Sequence, residues 1–157
     1  MKRVKMYWKF LRGTTLVVPT PDQLTQTIAR ALRDPAFRFH LQANPKRALQ
    51  ENGISVSDDQ NVTVLESKAG QIFFVLPIET EAETEHLQAA VASGLPQRAI
   101  RASIILRAWR DRAYKTALLA SPKVTLLEAG MPIPPTTELT VLENTPEQLY
   151  LVLPHVH

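Results

Sequence analysis

The chain repeats itself. Arg30 to Pro77 aligns with Arg107 to Pro154 without a gap, and about 20 of 48 positions are identical. They include Asp34 with Asp111, Pro45 with Pro122, Gly53 with Gly130, Glu66 with Glu143, and the closing Val75-Leu76-Pro77 with Val152-Leu153-Pro154. Chance does not produce such similarity over an ungapped stretch, so the expected architecture is one unit used twice, and whatever the first copy folds into the second should also adopt. The same offset lays Pro19 over Pro96. The expected organisation is an N-terminal arm (1–18), a first module (19–78), an acidic linker and helix (79–95) and a second module (96–157).

Within a unit the hydrophobic period changes once. Thr20 or Pro21-Asp22 can open a helix in which Leu24, Ile28, Ala31 and Leu32 recur at three- and four-residue spacing. Pro35 restarts a second helix, with Phe37, Leu41 and His40 as inward candidates. Pro45 restarts a third, which carries Ala48 and Leu49 and stops at Gly53. Val62 to Leu65 and Ile72 to Leu76 are rich in β-branched and aromatic residues and flank Lys68-Ala69-Gly70, a pattern that reads as a β-hairpin. In the second copy Trp109, Tyr114, Leu118 and Leu126 fall in the helices. Leu139 to Leu142 and Leu149 to Leu153 form the strands, around the loop Glu143-Asn144-Thr145-Pro146. The fold class expected is α+β, two tandem modules of short helices followed by a hairpin. A lone hairpin is marginal in water, so the two are expected to combine into an antiparallel sheet, within one chain or between two. Glu81 to Ala92 is strongly helix-forming until Ser93-Gly94-Leu95-Pro96 breaks it.

Charge is concentrated at one end. The 157 residues carry 18 Lys plus Arg against 15 Asp plus Glu. Lys2, Arg3, Lys5, Lys9 and Arg12 put five of those cations into an arm without an acid, which leaves 13 basic against 15 acidic residues elsewhere. Basic character therefore describes a tail and does not mark the folded body as a nucleic-acid binder. Tyr7, Trp8 and Phe10 interleave with those cations, and the eight residues together are the candidate partner-binding set. The bland alternative is that the aromatics pack on the chain's own body. No apolar run reaches the roughly 18 residues of a transmembrane helix. Lys9 and Arg12 interrupt the only stretch that resembles a secretory signal. The chain has no cysteine, which excludes a disulfide framework, a thiolate-held metal and a cysteine nucleophile, and fits a cytoplasmic protein.

Arg107 to Tyr114 (RAWRDRAY), Leu118 to Pro122 (LLASP), Leu127 to Gly130 (LEAG) and Val141 to Pro154 (VLENTPEQLYLVLP) carry a family signature. The chain resembles the nitrile hydratase α-subunit-like leader family, related to the nitrile hydratase α subunit and the thiocyanate hydrolase γ subunit. Many members are leaders of ribosomally made, modified peptides. The resemblance implies a folded docking surface for a peptide-maturation enzyme or transporter. In the hydratases the strand after the matching segment leads into a cysteine claw that holds iron or cobalt. Here the corresponding positions are Pro154-His155-Val156-His157 and, in the first copy, Pro77-Ile78-Glu79-Thr80. Neither offers a thiolate, and proline has no amide hydrogen to ionise into a ligand. No hydratase residue is carried over, and no cofactor or catalytic residue is expected. The Gly-Gly cleavage site and core peptide of a leader are not evident either.

His155 and His157 form an isolated His-x-His, read as a solvated tail, and His40 and His86 have no motif near them. Glu79, Glu81, Glu83 and Glu85 precede a helix and read as capping and solubilising acids. Arg98, Arg101, Arg107, Arg110, Arg112 and Lys115 form a basic stretch whose only acid is Asp111, read as a solvated face with partner binding as the sharper alternative. No nucleophile elbow or phosphate-cradling glycine loop occurs. The functional expectation is a non-catalytic docking module for a protein partner, with homo-oligomerisation open. The alternatives are an inactive or accessory subunit of a nitrile hydratase-like assembly, and an adaptor that meets an anionic partner through the arm. Nucleic acid and membrane surfaces rank behind a protein.

Overall fold

Proline and aspartate set where the helices begin. The computed structural model describes residues 18–155, so the candidate arm residues Lys2 to Arg12, and His157, lie outside the described residues. The first half runs α1 (Pro21–Arg33), α2 (Pro35–Ala43), α3 (Pro45–Glu51), β1 (Asn61–Glu66) and β2 (Gln71–Leu76). A connecting helix α4 (Glu81–Ala92) leads to α5 (Pro96–Arg110), α6 (Arg112–Ala120), α7 (Pro122–Glu128), β3 (Glu138–Glu143) and β4 (Gln148–Leu153). Among the described residues, proline stands at the start of five of the seven helices, where its missing N–H costs nothing. Thr20 closes a capping box with Gln23. No helix among the described residues is long and apolar enough to cross a membrane.

Local devices recur 77 positions apart. Asp34 and Asp111 cap α2 and α6 by accepting the Phe37 and Tyr114 amides at 3.2 and 3.1 Å. Arg30 lies 4.1 Å from the centroid of the Phe37 ring, and Arg107 lies 4.0 Å from that of Tyr114. Arg38 pairs with Glu66 at 3.0 Å, and Lys115 pairs with Glu143, each clasping a helix to the end of the strand that follows. Lys46 donates to the Asp58 carbonyl at 2.9 Å, and Lys123 to that of Pro135 at 2.7 Å. Gly53 and Gly130 end α3 and α7 with φ of 83° and 95°, where a Cβ would be strained.

The strands pair differently from the hairpin expectation. β1 lies parallel to β4, from Asn61 opposite Gln148 to Glu66 opposite Leu153. β2 lies parallel to β3, from Gln71 opposite Glu138 to Leu76 opposite Glu143. Among the described residues the two hairpins do not form the expected antiparallel sheet; the strands form two parallel pairs, each taking one strand from each half. The reason is legible in the strands themselves. Ile72-Phe73-Phe74-Val75-Leu76 and Leu149-Tyr150-Leu151-Val152-Leu153 are continuous apolar runs without polar alternation, the pattern of parallel strands, and in the structure their alternate residues are buried and half-buried. The Ser67–Gly70 turn therefore carries the chain from one pair to the other instead of folding β2 back on β1.

This crossing builds two mixed cores. Phe74 and Leu76 of β2 are buried with Leu87 of α4, Ile104, Ile105 and Ala108 of α5, Leu118 of α6 and Leu126 of α7. Leu151 and Leu153 of β4 are buried with Ala31, Phe37, Leu41, Ala48 and Leu49 of α1–α3. Each helical lobe thus closes over the last strand of the other half. Leu32, expected inward, is 43% exposed, and its helix instead buries Thr27, whose hydroxyl donates to the Gln23 carbonyl at 2.8 Å. Among the inward candidates, His40 is half-buried and meets Glu51 at 2.9 Å.

Leu153→Ala and Leu76→Ala each empty a fully enclosed site in one lobe, using a strand from the other half. Each should cost about 3 kcal/mol in urea unfolding. Because each half contributes to both cores, fluorescence and circular dichroism should report a single shared transition for each variant.

Candidate functional site

The strand crossing leaves a cleft between the pairs. In a parallel ladder, alternate residues turn their backbone groups to opposite sides. The amides of Asn61 and Ser67 bond the carbonyls of Glu147 and Leu153, and those of Glu138 and Asn144 bond the carbonyls of Gly70 and Leu76. It follows that Phe73 and Val75 of β2, and Tyr150 and Val152 of β4, direct their N–H and C=O groups away from their ladder partners. These four residues line one cleft of about 280 Å³ together with side chains of α1, α4 and α5. On β4 the chain already covers part of this edge. Asn144 accepts the Tyr150 amide at 2.8 Å, and Gln148 donates its amide to the Thr145 carbonyl at 3.1 Å.

Charged groups stand on the helical side. Thr80 caps α4 by accepting the Glu83 amide at 3.0 Å, and Glu83 lies one turn before the buried Leu87, on the same face. This spacing draws a carboxylate inward: Glu83 is only 7% exposed and lines the cleft with His86 and Arg101. Burial pushes the Glu83 carboxyl above the ordinary glutamate value, and His86 and Arg101 draw it partly back. Arg101 lies 5.7 Å from the centroid of the Phe74 ring. The arrangement offers strand-edge backbone groups, apolar walls from Leu24, Ile28 and Phe73, and one group of each charge. It can hold an extended polar chain; it contains no nucleophile paired with a base.

The sequence-based candidates divide. Of the acidic quartet, Glu81 and Glu85 are exposed on α4 and Glu79 precedes it, whereas Glu83 enters the cleft rather than serving solubility. The basic stretch is not one face. Arg101 reaches the cleft, Arg107 stacks on Tyr114, and Lys115 is paired with Glu143. His155 is exposed beyond β4 and lowers the Glu66 carboxyl slightly, behind the larger effects of Arg38 and Gln42. Among the described residues no group of three or more metal-capable side chains gathers. Tyr150 and Asn144 as cleft residues were not anticipated, since both fell in a segment read as one hairpin.

Residues 91–156, which span α5–α7, β3 and β4, match the family model described as nitrile hydratase, alpha chain. No curated protein matches the chain by sequence. Among solved structures the chain is similar to a double mutant of the Fe-type nitrile hydratase from Comamonas testosteroni Ni1. The TM-score is 0.61 at 16% identity, over 98% of this chain and 66% of that one. The two share a fold, and the chain spans about two thirds of its neighbour's length.

Glu83 gives a direct check on the cleft's electrostatics. A carboxyl raised by folding binds its proton more tightly in the native state. Stability is therefore greatest below the unfolded value, near 4.5, and falls as pH rises through the raised folded value. Glu83→Gln should remove that fall. Its melting temperature should exceed that of the parent by about 2–4 °C at pH 7, and the difference should vanish below pH 4 in parallel thermal melts.

Proposed function

We propose that this chain is a non-catalytic docking module on a nitrile hydratase alpha-like fold, which receives an extended segment of a protein partner in the cleft between its two strand pairs. The supporting observation is that Phe73 and Val75 of β2 and Val152 of β4 turn their backbone groups away from their ladders at the rim of one cleft. Such edges accept an added strand: backbone hydrogen bonds supply affinity, and flanking side chains supply selectivity. Glu83 and Arg101 would then fix the direction and register of the segment through its own charged or amide groups.

Docking of this kind is what the leader-family resemblance implies, the partner being a peptide-maturation enzyme or transporter. The recurrence of caps, ion pairs and glycine turns 77 positions apart supports a duplicated origin of the two halves. On this reading the signature segment has been kept for its fold. The claw that follows it in the hydratases is replaced in both copies by sequences without cysteine, Pro77-Ile78-Glu79-Thr80 and Pro154-His155-Val156-His157.

A second reading is favoured by the similarity to the nitrile hydratase alpha chain and its solved relative: an accessory subunit of a hydratase-like assembly. The two readings part in one preparation. Untagged chain, purified natively with whatever protein accompanies it, is measured by light scattering, metal mass spectrometry and hydrogen exchange. Docking predicts a metal-free complex with slowed exchange at residues 71–75 and 150–152. Stoichiometric iron or cobalt in a larger assembly, with those amides unchanged, would replace the docking reading with the subunit reading.

A further inference from the structure

A second, larger depression lies on the other side of Asn144, at the corner where α5 gives way to α6. It has a volume of about 550 Å³, within the range of recognition pockets. Its apolar wall is made by Ile78, Trp109 and Pro146; Arg110, Arg112 and Lys115 line it as cations, against the two carboxylates Glu79 and Glu143. The Trp109 indole N–H donates to the Pro77 carbonyl at 3.1 Å, which holds the ring as a fixed wall. Lys115 is engaged with Glu143 at the same groove. Arg110 and Arg112 are exposed and have no ion-pair partner among the described residues. The intervening Asp111 is committed to capping α6 through the Tyr114 amide.

Asymmetry between the halves isolates these features. The positions 77 residues earlier hold Leu32, Arg33, Pro35 and Ala69 where this corner has Trp109, Arg110, Arg112 and Pro146. Trp109 packs partly on the core beneath α5–α7, whereas its counterpart Leu32 is 43% exposed, and the second guanidinium stands where the first half has Pro35. An exposed pair of guanidinium groups beside a held aromatic wall suits a ligand that brings carboxylates and apolar side chains together. A phosphate backbone would use the cations but leave the Ile78, Trp109 and Pro146 wall idle. A second copy of this corner would bring like charges together.

We infer that the groove at the α5–α6 corner is a binding site for an acidic peptide segment of a partner protein, in which Arg110 and Arg112 hold carboxylates and Trp109 packs against an adjacent apolar side chain. The site is distinct from the strand-edge cleft, and its occupancy does not depend on that cleft being used.

The chain has two tryptophans, at positions 8 and 109, so Trp8→Phe makes the emission of Trp109 the only indole signal. The full chain with this change is titrated with a twelve-residue peptide of four Glu-Leu-Pro repeats, with its Lys-Leu-Pro counterpart, and with a twelve-nucleotide oligothymidylate. Saturable quenching or a shift by the Glu peptide alone is expected, weakened about 10-fold by Arg110→Ala with Arg112→Ala, and weakened by added salt. Both side chains are on the surface, so the thermal melt should not change. Arg110→Glu with Arg112→Glu should transfer the preference to the Lys peptide. Oligothymidylate binding that depends on the same arginines, equal response to both peptides, or no saturable response to the Glu peptide would each overturn the assignment. Loss of the Trp109 response with slowed exchange retained at residues 71–75 would remove this site and leave the strand-edge reading standing.

Discussion

Everything else in this molecule depends on the exchange of last strands between its halves. Phe74 and Leu76 leave the half that encodes them and complete the core beneath α5–α7, while Leu151 and Leu153 complete the core beneath α1–α3. Neither helical layer can cover its own apolar face without the other half. Short helices of seven to fifteen residues would be marginal alone, and a two-stranded unit is no better. Interlocking turns two marginal units into mutually dependent ones.

The same exchange creates the strand-edge cleft. Two two-stranded parallel pairs have four outer edges, and the crossing places edge residues of β2 and β4 at one cleft. A hairpin-built antiparallel sheet would have consumed those edges internally. The cleft's charge then follows from an ordinary helical constraint. Thr80 must cap α4, Leu87 must be buried, and the residue between them on the same face is Glu83. Electrostatic detail is therefore imposed by packing, and the raised carboxyl is a consequence of helix phase.

Where the halves differ is as informative as where they agree. Aspartate caps, stacked arginines, helix-to-strand ion pairs and glycine stops recur because both halves must make the same turns at the same places. Trp109, Arg112 and Pro146 depart from that pattern, standing where the first half has Leu32, Pro35 and Ala69. The helical elements were legible from proline, aspartate and glycine spacing, and the helix before Ser93-Gly94-Leu95-Pro96 ended as its residues indicated. The site was much less legible. Glu83 read as one of four solvated acids, and Arg101 as one of six cations on a face, because sequence spacing gives helix phase without saying which neighbour the helix will meet.

The sequence by itself determined the elements, their order, their use in two similar halves and the absence of any thiolate. Those features rest on local chemistry: φ restricted at proline, left-handed freedom at glycine, amide capture by aspartate, and apolar periodicity within a few residues. Tertiary structure alone decided that β1 joins β4 and β2 joins β3. Strand partners are chosen by which pairing brings the apolar faces of β2 and β4 under a helical layer. For β1 that choice was between a neighbour across a four-residue turn and Gln148–Leu153, with the whole second half of the helices lying in between. A short loop favours the hairpin by chain entropy. The apolar runs of β2 and β4 favour the distant partners, because the crossed pairs bury Phe74 and Leu76 beneath α5–α7 and Leu151 and Leu153 beneath α1–α3.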